Sequence, residues 1–142
     1  MTNLTATAAN VRALREHGAI VFPGQAGEAL TVGQLVYADT DGDYMIADGN
    51  TTTAAARARG IVVASYDGET SIASGAACSV CIFGPVGGFA TIVPGANYYV
   101  SDTAGSIADA AGTNSRIVAH GIEIAGQNVL FVNPQQNDPS SS

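Results

Sequence analysis

Lysine and tryptophan are absent from this 142-residue chain, and charge, cysteine and aromatic residues are scarce. With no lysine, five arginines face twelve acids, for a net charge of −7. A protein that tracks phosphates needs clustered cations to release counterions. Arg12, Arg15, Arg57, Arg59 and Arg116 are never grouped beyond pairs, which argues against nucleic acid and against an anionic membrane surface. Cys78 and Cys81 are the only cysteines, too few for a disulfide framework and neutral about compartment. No apolar run approaches membrane-spanning length, and MTNLTATAAN has neither a basic start nor an apolar stretch, so no signal peptide or membrane span is expected.

What the chain has instead is small residues. It carries 25 alanines and 17 glycines against four phenylalanines and five tyrosines. Such side chains suit thin, closely approached sheets with many turns and argue against a large pocket walled by aromatics. Only 12% of residues are charged, so much of the exterior is Ser, Thr, Asn, Gln and small apolar groups. Burying that kind of surface costs little desolvation, which suits a contact surface.

The length fits one domain, able to bury roughly two-thirds of its unfolded surface. Short apolar runs bounded by Gly, Asp, Asn and Pro follow one another: AIVF, QLVYA, YMIA, RGIVVAS, ACSVCIF, GFATIV, NYYVS, RIVAHGIEIA and NVLFV. They predict an all-β fold. Residues 51–59 (TTTAAARAR) read as one helical turn or a loop, without an apolar stripe wide enough for a core-facing helix. Residues 1–19 read as an N-terminal arm in which Val11, Leu14, Arg12 and Arg15 recur at three-residue spacing. Residues 10–17 suit one or two helical turns closed by Gly18, in a terminus that is either mobile or ordered by a partner. The β domain covers 20–133, and the tail 134–142, with PQQNDPSSS, reads as disordered.

The β domain repeats itself. GEALTVGQLVYADTDGDYMIADG aligns with GFATIVPGANYYVSDTAGSIADAAG, matching Gly27 to Gly88, Val32 to Val93, Gly33 to Gly95, Tyr37 to Tyr99 and Gly42 to Gly105. The match resumes where Gly60 meets Gly121, at offsets of 61 to 63 residues. The halves, about 24–64 and 85–125, each read as a strand ending in Tyr, a tight turn, a second strand, a longer loop and a third strand. Two related three-stranded halves then pack into one small β-barrel or sandwich. Asp41-Gly42 supplies the hairpin chemistry in the first half.

Each tempting site fails on spacing. Asp39, Asp41 and Asp43 (DTDGD) invite a calcium reading, but an EF-hand loop needs Gly sixth and Glu twelfth, where this loop has Gly42 fourth and Asn50 twelfth. A solvated turn is expected. Cys78 and Cys81 have CxxC spacing without a second ligand pair, and on a strand they face opposite sides, as small core residues. His17 and His120 lie in no nucleophile-like setting, and no G-x-S-x-G, H-E-x-x-H or phosphate-loop pattern occurs. Glu28, Glu69 and Glu123 are scattered. No catalytic residue, metal or cofactor is assigned. Tyr98 and Tyr99 point to opposite faces, and the match of Tyr99 to Tyr37 makes Tyr99 the core position and Tyr98 the outward one. Tyr44 lies on a strand with both faces partly apolar.

Residues 27–37 (GEALTVGQLVY), 60–64 (GIVVA) and 98–107 (YYVSDTAGSI) frame about residues 24–133. At these motifs the chain resembles the capsid cement, or head-decoration, proteins of tailed bacteriophages. Similar GEAL-x-x-GQ and YY-x-S-x-TAG patterns also occur in modules of phage fibres. The resemblance implies a β-rich, non-enzymatic protein of the virion, made in the bacterial host cytoplasm. It implies a homotrimer on the outer capsid surface that binds the major capsid protein and clamps neighbouring subunits. The first twenty residues match no pattern of that family. Val11, Arg12, Leu14, Arg15, Tyr44 and Tyr98 are the candidate partner-binding residues. The competing reading is a receptor- or glycan-binding module of a fibre or spike, and a third is a self-assembling bacterial surface protein.

Overall fold

The structure, a computed structural model, describes residues 2–134 and 140–141. The protein is all-β, built on a strongly curled half-barrel sheet. The strands are β1 (Arg12–Ala13), β2 (Ile20–Gln25), β3 (Leu30–Thr31), β4 (Leu35–Ala38), β5 (Tyr44–Ile46), β6 (Gly60–Ser65) and β7 (Ser71–Ile72). They continue with β8 (Ala77–Gly87), β9 (Asn97–Val100), β10 (Ile107–Ala108), β11 (Asn114–Ser115), β12 (Ile117–Ile124), β13 (Gln127–Val132) and β14 (Ser140–Ser141).

The main sheet runs β10-β9-β12-β13-β8-β6-β4-β5, and all its pairings are antiparallel. Read from either end, the order is hairpin, third strand, connecting strand. The first half contributes β4, β5 and β6, and the second contributes β9, β10 and β12 in the same relation. Gly42 and Gly105, matched in the sequence, both turn their hairpins at positive φ, +87° and +79°. Side chains with a Cβ rarely adopt that conformation, which is why glycine stands at both.

The third strands are where alignment and ladder part. Gly33 donates to the Val62 carbonyl at 2.8 Å, and its counterpart Gly95 donates to the Gly121 carbonyl at 2.9 Å. Hydrogen bonding therefore equates Gly121 with Val62, two residues from the Gly60 that identity suggests. A two-residue slip leaves every side chain on its own face, so the apolar pattern does not reveal it. Gly60 and Gly121 are glycines for separate reasons: a Cβ would strike the Cys81 carbonyl at the first and the Val93 carbonyl at the second.

Strand β8 belongs to both halves. Cys81 pairs with Ile61 of β6 and with Val21 of β2, while Val86 pairs with Leu130 of β13 and Ala13 of β1. A strand has two edges, so β6 and β2 flank the first part of β8, and β13 and β1 flank the second. The first ring closes where residues 26–28 return to β5: Gly27 donates to the Tyr44 carbonyl at 2.8 Å, and the Glu28 carboxylate accepts the Ile46 N–H at 3.0 Å. The second closes where residues 2–4 lie along β10, with Asn3 bridged to Ala108 and Leu4 donating to the Ile107 carbonyl at 2.7 Å. Both ends of the sheet thus have their backbone groups covered, which blocks strand addition there.

Between the rings the core is tight and aliphatic. Val36, Ile61, Val62, Val80, Val86, Val100 and Leu130 are all fully buried. Burying such a side chain stabilises by about 1.5–3 kcal/mol relative to exposure. Strand β2 shows how its edge is managed. Ala26 donates to Ala76 on the β8 side, so by alternation Val21, Pro23 and Gln25 turn their backbones outward, where proline has no donor to offer.

Two expectations change, for the arm and for the tail, while residues 51–59 are turn and loop as expected. The N-terminal arm is ordered on its own body, and residues 10–17 are not continuous helix: 3-10 turns at Ala8–Asn10 and Arg15–His17 flank β1, with Gly18 capping the second in the left-handed conformation. Residues 51–59 form turns, with Ala55 capped by the Thr52 hydroxyl, yet Ala55, Ala56 and Ala58 are buried. In the tail expected to be disordered, Ser140–Ser141 pair with β11, while 135–139 and 142 lie outside the described residues.

Candidate functional site

The six residues singled out in the sequence do not form one surface. Val11 and Leu14 turn inward, with 6% and 8% of their surface exposed, because pairing of β1 with β8 carries them over the core. Arg12 and Arg15 are exposed. Val11, Arg12 and Leu14 line an open hollow of about 450 Å³ together with Gly87, Gly88 and Val129. Tyr44 is half-buried at the seam of the first ring, its ring lying against Gly24 of β2, where any Cβ would collide with it. Burial, and next the nearby Cys78, pushes its hydroxyl pKa up.

Tyr98 is a correction. It is 2% exposed, and its hydroxyl accepts the Val93 N–H at 2.9 Å, whereas Tyr99 is half-buried. The match to Tyr37 predicts a core Tyr99, but Tyr37 is itself only half-buried, so the parity of β9 is the reverse of that expected.

The acidic loop is a turn. The Asp39 carboxylate accepts the N–H groups of Asp41 and Asp43 at 2.9 and 3.0 Å, folding the β4–β5 connection around Gly42. Among the described residues no group of three or more His, Cys, Asp or Glu is placed to hold a metal ion. Cys78 and Cys81 are buried free thiols, and burial raises both pKa values.

A different surface stands out. Ile20 and Phe22, two residues apart on β2, project on one face with 45% and 52% exposure. Ile20 is paired with Phe83, itself 40% exposed. Phe83 meets Phe131 edge to face, with ring centroids 5.0 Å apart, and Phe131 stacks on His120 at 5.1 Å. Phe131 and His120 are also direct cross-strand partners. One apolar stripe therefore crosses β2, β8, β13 and β12 on the outside of the molecule. Scattered exposed hydrophobics are ordinary, but a contiguous run fixed by pairing and ring contacts is the kind of patch that marks a contact site.

The sequence does not show this stripe because its phenylalanines sit at or next to the end of apolar runs, in AIVF, ACSVCIF and NVLFV, where exposed and core residues look alike. The available signal was that these runs carry all but one of the four phenylalanines. Comparison of the chain with protein-family models and with curated proteins gives no match.

Proposed function

We propose that the protein is a non-enzymatic structural protein that docks on a large protein assembly, as a decoration or cement protein of a phage head. The single observation that carries the docking reading is the outward stripe of Ile20, Phe22, Phe83 and Phe131 on a body whose sheet ends are covered. The assembly named rests on the resemblance of GEALTVGQLVY and YYVSDTAGSI to that family. On this reading the partner is the major capsid protein, the place is the outer capsid surface of the virion, and the working unit is a homotrimer.

Magnitudes favour many weak contacts over one strong one. Half-exposed aromatic side chains offer roughly 100 Å² each. The stripe thus presents about 300 Å², far below the ~800 Å² per partner of a standard stable interface. A lattice offering many copies of one site converts such modest contacts into slow release through effective concentration. The acidic, lysine-free exterior suits an outer face that never meets the genome.

The test is to mix the purified protein with undecorated heads and image them. Density on the heads at a fixed symmetry position is expected. Bare heads at saturating protein would sink the proposal. The fibre or spike reading has its own support in exposed aromatics, Tyr66 at 74% and Phe22 at 52%, because such rings stack on sugars. Binding to glycans but not heads would select it.

A further inference from the structure

We propose that residues 2–7, which close the second ring, exchange between copies of this chain, so that the segment of one copy closes the ring of another. The inference rests on the geometry of this segment alone and is independent of what the stripe binds.

The closing segment is held by its backbone more than by packing. Thr2 accepts from Asp109, Leu4 donates to Ile107, Thr5 accepts from Ala90, and Thr7 donates to Gly88, all at 2.7–3.0 Å. Asn3 sets the register: its amide donates to the Thr103 hydroxyl at 3.0 Å and accepts from the Ser101 hydroxyl. Leu4 alone in this stretch is even half-buried. Segments with few buried apolar contacts and exposed backbone bonds open at low free-energy cost.

A hinge and an anchor complete the device. The 3-10 turn Ala8–Asn10 has no buried residue and no side-chain cap at Thr7. It crosses the body beside hollows of about 280 and 210 Å³ that Ala8 borders on either side. Beyond it, Val11 and Leu14 are buried and β1 is paired to β8, so the chain stays fixed from residue 11 onward. Opening the turn frees nine residues, which reach roughly 30 Å at ~3.3 Å each. The β10 edge accepts the same segment from either source, because exchange replaces each intramolecular bond with an identical intermolecular one. Concentration then sets the balance between the two states.

Asn3 and Ala108 are Cα partners across the closing bridge, a spacing that a disulfide spans. Asn3→Cys and Ala108→Cys are made on separate chains, one tagged, then mixed, concentrated and oxidised. A mixed covalent dimer that grows with concentration and exceeds that of either variant alone is expected. Its absence overturns the proposal if the double variant in one chain closes its internal bond. Sedimentation of the native chain gives a second readout: concentration-dependent oligomers should vanish when residues 2–7 are deleted, and oligomers that persist unchanged also overturn it. Failure of head binding would leave both readouts untouched.

Discussion

The ring of Phe83 stands at 84° to the ring of Phe131, edge to face, with Phe131 in turn stacked on His120. Edge-to-face pairs add about 0.5–1.5 kcal/mol beyond their buried area, so this end of the stripe is rigid. The free end, Phe22, contributes little to the fold. Phe22→Asp should therefore leave the melting temperature almost unchanged and weaken association with the assembly at least tenfold. Calorimetry and co-sedimentation check the two halves of that statement, and undiminished binding would remove the stripe from the contact.

Both third strands run under a carbonyl that leaves no room for a methyl group. Gly60→Ala and Gly121→Ala should each destabilise by about 1–3 kcal/mol or more, since a Cβ meets backbone that has nowhere to move. Gly87, with open space around its position and no positive φ, is the control: Gly87→Ala should be neutral or stabilise by up to about 1 kcal/mol. Urea titration of the three variants decides the comparison.

The two hairpins were legible because their signals are conformational. Gly42 and Gly105 must be glycine to turn their hairpins, so identity and geometry coincide. At Gly60 and Gly121 they do not, and the true register differs by two residues, a shift the period of a strand conceals. The inward turn of Val11 and Leu14 depends on pairing with β8, more than seventy residues away, which no local spacing reports. Tyr98 and Tyr99 show the same limit: adjacent residues of one type carry no internal clue to which faces the core.

The β12–β13 connection holds Ala125 at φ +52° and Gly126 at +85°. Two positive values are the requirement of a type I′ turn, in which Asn-Gly is favoured. Alanine pays about 1–2 kcal/mol for the left-handed region. Ala125→Asn should accordingly stabilise the protein by up to about 1 kcal/mol, raising its denaturation midpoint. A midpoint lowered by this change would contradict the turn geometry.

Burial pushes the thiols of Cys78 and Cys81 above their ordinary value of 9.0. The unfolded chain then releases these protons at lower pH than the folded one, so it binds fewer protons across that interval. Stability should hold level below the ordinary thiol range and fall as pH rises through it. The half-buried Tyr44 adds to the loss at higher pH, in the same direction. Denaturant midpoints measured across the alkaline range should show this decline, and Cys78→Ala/Cys81→Ala should flatten its first part. Thiol reagents should label the native protein only as fast as it opens.

The Glu28 carboxylate caps the β5 edge through the Ile46 N–H. Glu28→Ala should cost about 1–3 kcal/mol, as expected when a charge-assisted bond is lost, and should raise self-association by freeing an edge. Light scattering and urea denaturation together test this, and a stable, non-associating variant would show that the edge needs no cap.

The closure of the second ring also fixes an order of events during synthesis. Thr2 is joined to Asp109 across 107 residues, and β8 receives β13 from near the end of the described chain. Thr2 must therefore wait for Asp109 to be made before it finds its partner. At ribosomal rates of about 5–20 residues per second that wait is on the order of 5–20 s. β8 is complete at Gly87 and β13 begins at Gln127, so for about 2–8 s at those rates the β8 edge meant for β13 is unpaired, making nascent chains the form of this protein most exposed to wrong strand pairing.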